Sequence, residues 1–203
     1  MHEMKRRTLM LGGLSVLGGC SAISTLNDAT KPLNTYDLSP ASGSNRGGRT
    51  SRTLLVARPQ APAALTSDRI LIKPDPVSIT YLPDARWSDE VPAVVQTLLI
   101  RSISGTGRVA YVGRSDAGPI PDRALLTRVD AFEVVTRVDG TLEARIDLEL
   151  TVINDADQRI VGSRRFAEAT PVAGDEVRVI VAAFQTLLNT LLPAMSDWAV
   201  RQV

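Results

Sequence analysis

Val138-Asp139-Gly140-Thr141-Leu142-Glu143-Ala144-Arg145-Ile146-Asp147-Leu148-Glu149-Leu150-Thr151-Val152 decides the fold of this chain. Asp139-Gly140 is a tight-hairpin pair, because such turns need positive φ and glycine adopts it without steric cost. Beyond the pair, Leu142, Ala144, Ile146, Leu148, Leu150 and Val152 fall on one face of an extended chain. Thr141, Glu143, Arg145, Asp147 and Glu149 fall on the other. A period of two held over that length predicts an antiparallel strand with one face on a core and one in water. Residues 126–138 form the outgoing strand. Asn154-Asp155-Ala156-Asp157 makes a second turn and sends residues 159–167 back as a third strand.

Working outward, Leu54-Leu55-Val56-Ala57 reads as a strand closed by Pro59, and Arg69-Ile70-Leu71-Ile72-Lys73 as another. Val77, Ile79 and Tyr81 alternate with Ser78 and Thr80 in a half-buried pattern. Pro74 and Pro76 imply a break or an edge there. Tyr36-Asp37-Leu38 is a short first strand, and residues 41–53 have the composition of a flexible loop. Ser88 is read as a helix N-cap, with Asp89 and Glu90 where the helix dipole favours negative charge. Val91, Val94, Val95, Leu98 and Leu99 then repeat at helical spacing up to Gly105. Val109-Ala110-Tyr111-Val112 is a strand and residues 113–121 an exposed loop. At the C-terminus, residues 175–201 predict a long amphipathic helix whose stripe is Val177, Ile180, Val181, Phe184, Leu188, Leu191, Met195 and Trp198. Pro193 is a site for a kink. The opposite face of that helix lacks the basic residues of an interfacial helix, which favours packing on the sheet. The expected fold is therefore α/β in composition and α+β in order: a mixed, mostly antiparallel sheet with two helices packed on one face.

The first twenty residues have a different character. Lys5, Arg6 and Arg7 precede a short apolar run, residues 9–17, that is too short to span a bilayer as a permanent helix. This is the layout of a removable export signal. Leu17-Gly18-Gly19-Cys20 resembles a bacterial lipobox, in which two small residues admit the peptidase and the cysteine thiol takes a diacylglyceryl group. The expectation is removal of residues 1–19, a lipidated tether over 20–34, and one domain over 35–203. Cys20 is the single cysteine, so no intrachain disulfide forms. Arg6-Arg7-Thr8-Leu9-Met10 fits a twin-arginine pattern as well as an ordinary basic head, leaving the export route open. Ser21 stands where an aspartate would retain an enterobacterial lipoprotein at the inner membrane, so the outer membrane is favoured, on the periplasmic side.

With 23 basic and 22 acidic side chains, the chain has no basic footprint for nucleic acid, and removal of residues 1–19 brings the charge near −1. Nor is there a polybasic membrane patch, so the covalent lipid on Cys20 is the expected attachment and the only non-protein group. His2 is the one histidine and leaves with the signal. The mature chain thus has no Ser-His or Cys-His pair and no histidine metal site, and no P-loop or dinucleotide fingerprint. No enzyme is expected. Asp84, Asp89 and Glu90 could in principle pair as a carboxylate hydrolase, the weakest of three readings.

The chain resembles the ABC-type transport auxiliary lipoprotein family, which includes the PqiC-type lipoproteins. The residues that carry the resemblance are Tyr36-x-Leu38, Leu54-x-Val56, Pro62 to Leu65, Arg69-Ile70, Tyr81, Arg86-Trp87, Phe132, Leu148-x-Leu150, Phe166 and Trp198. Arg86-Trp87, just before the first helix, is the most distinctive piece, while the loop 41–53 is longer than the family pattern. The resemblance implies a non-catalytic periplasmic component of an ABC transporter. Its partners would be an MCE-domain substrate-binding subunit, a permease and an ATPase, moving phospholipids or related lipids between membranes and supporting envelope integrity. Ring-forming partners imply a homo-oligomer, and lipid is a further candidate ligand. Trp87 is either a partner or lipid contact or a core anchor, with burial favoured for an indole in apolar surroundings. The alternative reading is an outer-membrane assembly or scaffold lipoprotein bound to a β-barrel.

Overall fold

One long strand organises the sheet. The computed structural model describes residues 32–114 and 118–203. Its element order is β1 (Asn34–Tyr36), β2 (Thr50–Val56), a 3-10 turn (Ala63–Leu65), β3 (Arg69–Asp75), β4 (Ser78–Trp87) and α1 (Val91–Ser104). After these come β5 (Val109–Arg114), β6 (Arg123–Thr136), β7 (Leu142–Asn154), β8 (Ile160–Val172) and α2 (Val177–Gln202). The whole of β7 pairs antiparallel with one edge of β6, and β8 pairs antiparallel with β7. The other edge of β6 is shared: its start pairs parallel with β2 and its end parallel with β3. The sheet therefore forks along β6. Beyond β2 lies β5, and beyond β3 lie β4 and then β1. Four strand pairings are parallel, but the β6–β7–β8 meander holds most of the paired residues.

The predicted alternation of β7 is what the core uses. Ala144, Ile146, Leu148, Leu150 and Val152 all face inward and are buried. On β6 the pairing slips between Val129 and Ala131, leaving Asp130 as a bulge. One extra residue changes which side chains point inward, from Leu125, Thr127 and Val129 before it to Phe132 and Val134 after it. Both helices cover this face. α1 buries Val91, Val94, Val95, Leu98 and Leu99; α2 buries Ile180, Phe184, Leu188, Leu191 and Met195, with Trp198 at the far end. α2 is long and apolar enough to cross a membrane by composition, but its stripe is committed to the core. It runs unbroken through Pro193.

Several expectations need correction. The first strand is Asn34–Tyr36, and Leu38 lies beyond it as a buried core residue. Residues 41–49 are not a loose loop but a strap held by side chains of α2. Gln185 accepts from Ser39 N–H (2.8 Å) and donates to its carbonyl (3.1 Å), and Asp197 accepts from Ser44 N–H (2.7 Å). Ser88 does not cap α1, because its hydroxyl bonds Asp37 (2.9 Å) and the chain enters the helix from extended Glu90. Pro92 suits that first turn, where its missing N–H has no intrahelical partner to lose.

Val77, Ile79 and Tyr81 face outward rather than into the core. Leu82, Ala85 and Trp87 are the buried residues of β4, and Asp84 adopts φ +55 between them where the register breaks. The Asp139-Gly140 turn is a three-residue loop, Val138-Asp139-Gly140. It is closed by Arg137 N–H to the Thr141 carbonyl (2.8 Å), with Gly140 at φ +81. β8 runs five residues past its expected end.

Candidate functional site

Arg86 and Trp87 are adjacent in sequence but point to different places. Trp87 is buried, with ring centroids 5.7 Å from Phe132 and 5.2 Å from Phe184 in edge-on geometry, while the two phenylalanines stack at 4.8 Å. That trio pins β4, β6 and α2 to one another, so Trp87 is the core anchor and not a surface contact. Its indole N–H is buried without an acceptor. Arg86 lies at the surface, where it donates to Thr35 Oγ1 (3.1 Å) and sits 3.5 Å from Asp68, tying β1 to β4. Leu17, Gly18, Gly19 and Cys20 lie outside the described residues.

The face of the sheet away from the helices carries most of the charge. Because side chains alternate along β6, β7 and β8, outward residues of neighbouring strands form cross-strand ladders. Arg128 stands opposite Glu149 and contacts it at 2.5 Å, and it also forks onto Asp130 at 2.7 and 2.9 Å. Arg165 reaches diagonally to Asp147 with both nitrogens, at 2.8 and 2.5 Å, and Arg145 approaches the same carboxylate at 3.3 Å.

Asp147 is on the outward face, yet only 1% exposed, because the two arginines roof it. The paired Arg165 guanidinium holds its carboxyl below the usual range, outweighing the opposing effect of burial. Glu133 is buried in the same way and is met by Lys73 at 3.1 Å. The prediction of a face simply in water is therefore incomplete. The polar side of the hairpin is a layer of ion pairs neutralised within the chain.

Where the sheet forks, a groove of about 270 Å³ opens on this face, lined by Ala57, Arg58, Gln60, Leu126, Thr127 and Arg128 among others. Its cations are taken: Arg58 pairs with Glu90 at 2.5 Å, and Arg128 with Asp130 and Glu149. Among the described residues no group of three or more histidines, cysteines and acids is placed to hold a metal. Asp84, Asp89 and Glu90 are not brought together. Asp89 accepts from Glu90 N–H (2.8 Å), Glu90 is bound to Arg58, and Asp84 lies in the β4 irregularity. The 154–157 segment is a turn built on its own side chains, with Asn154 accepting from Ala156 N–H and Asp157 from Arg159 N–H.

The apolar side chains left outside are the feature that sequence reasoning missed. Val77 and Val138 stand exposed on the β3–β4 and β6–β7 turns, and Ile79 on the adjoining start of β4. The available signal was Pro74-Asp75-Pro76, which implies a tight turn presenting its next residue to solvent.

The comparisons agree with this architecture. A family model described as ABC-type transport auxiliary lipoprotein component matches residues 36–196. No curated protein matches the sequence. Among solved structures, protein XCC0632 from Xanthomonas campestris, of family DUF330, is 26% identical with a TM-score of 0.76, over 83% of this chain and 96% of that one. A second, described as an uncharacterized protein, is 16% identical with a TM-score of 0.62, over 85% and 99%.

Proposed function

This chain belongs to the ABC-type transport auxiliary lipoprotein component family, and from that premise we propose that it serves a transporter whose substrate-binding subunit carries an MCE domain. In this reading residues 1–19 are a signal that is removed, Cys20 carries the lipid, and the domain that follows is held on the periplasmic side of the envelope, Ser21 favouring the outer membrane. The cargo is phospholipid or a related lipid moving between membranes. The role is to hold and orient the transporter, not to perform chemistry.

The observation that carries the reading is the extent of the family match, which spans the sheet from β1 and most of α2. Two features support it. The charged groups of the outward face are satisfied by one another, as suits a scaffold surface. The only histidine and the only cysteine both lie in the first twenty residues. Capture of the tagged full chain from membranes, followed by mass spectrometry, tests the proposal. An ATPase, a permease and an MCE-domain protein are expected to copurify, and the mature N-terminal peptide to carry diacylglyceryl-modified Cys20. Capture of a β-barrel assembly partner in their place would overturn the transporter assignment in favour of a scaffold lipoprotein.

A further inference from the structure

Two turns at one end of the sheet are built alike. In the β3–β4 turn, Asp75 accepts from the N–H groups of Val77 (2.9 Å) and Ser78 (2.8 Å), and Val77 stands 93% exposed. In the β6–β7 turn, Asp139 accepts from the Thr141 N–H (3.0 Å) and hydroxyl (2.6 Å), and Val138 is fully exposed. Each aspartate braces its own turn, so each valine is held out in a fixed conformation. The turns are neighbours, because β3 and β6 run parallel toward the same end. Pro74-Asp75-Pro76 and Arg137-Val138-Asp139 face one another across a cleft of about 600 Å³. Ile79, 53% exposed, extends the apolar surface along β4. The nearby cations are paired, Lys73 with Glu133 and Arg137 with Glu143, while Asp75 and Asp139 bond within their own turns.

The direction of β1 is fixed by its pairing with β4. β4 starts at the tip and runs away from it, and β1 lies parallel to β4 with Asn34 opposite Ala85. The N-terminal end of β1 therefore points toward the tips. Ala85 lies about 25 Å from the tip at the rise of a strand. Residues 20–33 reach about 45–50 Å when extended, enough to place Cys20 beyond the tips. Ile120 and Ile160 are exposed at the opposite end of the sheet, away from the N-terminal end of β1.

Resting on the assignment of Cys20 as the lipid anchor, we propose that Val77 and Val138, flanked by Ile79, form a second membrane contact. The two tips enter the headgroup–acyl boundary of the phospholipid leaflet that holds the lipid. With the nearby cations paired and a carboxylate in each turn, the contact is apolar and draws nothing from anionic lipid. A single point of attachment leaves the domain free to tumble, whereas a second point of contact orients the long axis of the sheet. Ile120 and Ile160 are then turned away from the bilayer.

The test uses the lipidated full chain in vesicles of phosphatidylethanolamine and phosphatidylglycerol at about 3:1, carrying Val77→Cys, Val138→Cys, Ile120→Cys or Ile160→Cys. With Cys20 lipidated, each introduced thiol is the sole site for a nitroxide label. The ratio of oxygen to aqueous-relaxant accessibility is expected to be several-fold higher at 77 and 138 than at 120 and 160, and no lower in pure phosphatidylcholine. Lipid on Cys20 by mass spectrometry with water-exposed labels at 77 and 138 overturns the tip contact and leaves the anchor standing. So does burial of 120 and 160 instead, or shielding of the tips only when a partner protein is added. An unmodified Cys20 in the mature chain overturns the anchor and the tip contact together.

Discussion

Replacing Trp87 by alanine and by phenylalanine separates its packing from its polar atom. The indole is 1% exposed and makes edge-on contacts with both Phe132 and Phe184. Alanine empties that site, and a large-to-small change in a closed core costs about 3–5 kcal/mol. For a domain of this size each kcal/mol lowers Tm by about 2–4 °C, so a fall of about 6–20 °C is expected. Phenylalanine keeps a ring against both neighbours and removes an N–H that is buried without an acceptor. Leaving such a group unpaired costs about 1–3 kcal/mol, which offsets much of the lost indole area. Trp87→Phe should therefore destabilise by no more than about 1.5 kcal/mol. Urea unfolding followed by far-ultraviolet circular dichroism measures both variants, and the fluorescence of Trp198 gives an independent probe. If phenylalanine proves as damaging as alanine, the indole N–H has a partner and the reasoning fails. If both variants keep full stability, Trp87 is not the anchor of this core.

Acid sensitivity should centre on Asp147. Its folded-state pKa is depressed below the ordinary 3.8 by Arg165, so its stabilisation is complete above about pH 5 and lost as pH falls through the depressed value. Asp147→Asn should be less stable than the parent at neutral pH and lose less on acidification, and parallel stability–pH curves would contradict this. Gly43 lets the strap lie against α2, since a Cβ there would meet Asp197 Oδ1 at 2.5 Å and the Pro193 carbonyl at 3.0 Å. Gly43→Ala should cost about 1–3 kcal/mol by thermal melting. It should also raise amide exchange at Ser44, and an unchanged melt would show that the strap yields without loss.

Local pattern carried the hairpin, the two helices and the fold class, because a period of two or of 3.6 records which face is buried whatever lies opposite. The same logic identified the stripe of α2; the signal-like segment ending at Cys20 was read instead from its basic head and short apolar run, and lies outside the described residues. Patterns failed where one residue changes the phase. The Asp130 bulge and the irregularity at Asp84 each reassign the inward face, and neither has a signature in hydrophobic spacing. Val77, Ile79 and Tyr81 read as core for that reason and emerge outside it. Ser88 and Asp147 were misread for a different one. Their environments depend on Asp37, Arg145 and Arg165, of which Asp37 and Arg165 are remote in sequence from the groups they meet.

What the sequence determined by itself is a chain of alternating strands and apolar helical stripes, preceded by a lipobox-like segment. Those are properties of residue order, and they survive in any structure that buries the stripes. Only the tertiary structure decided that the sheet forks along β6, that Trp87 and Arg86 part company, and that the outward charges neutralise one another. It also brought Val77 and Val138 to one end, toward which the N-terminal end of β1 points. Strand register and chain direction are relations between segments, set by the packing of the whole sheet, and no single stretch of sequence contains them.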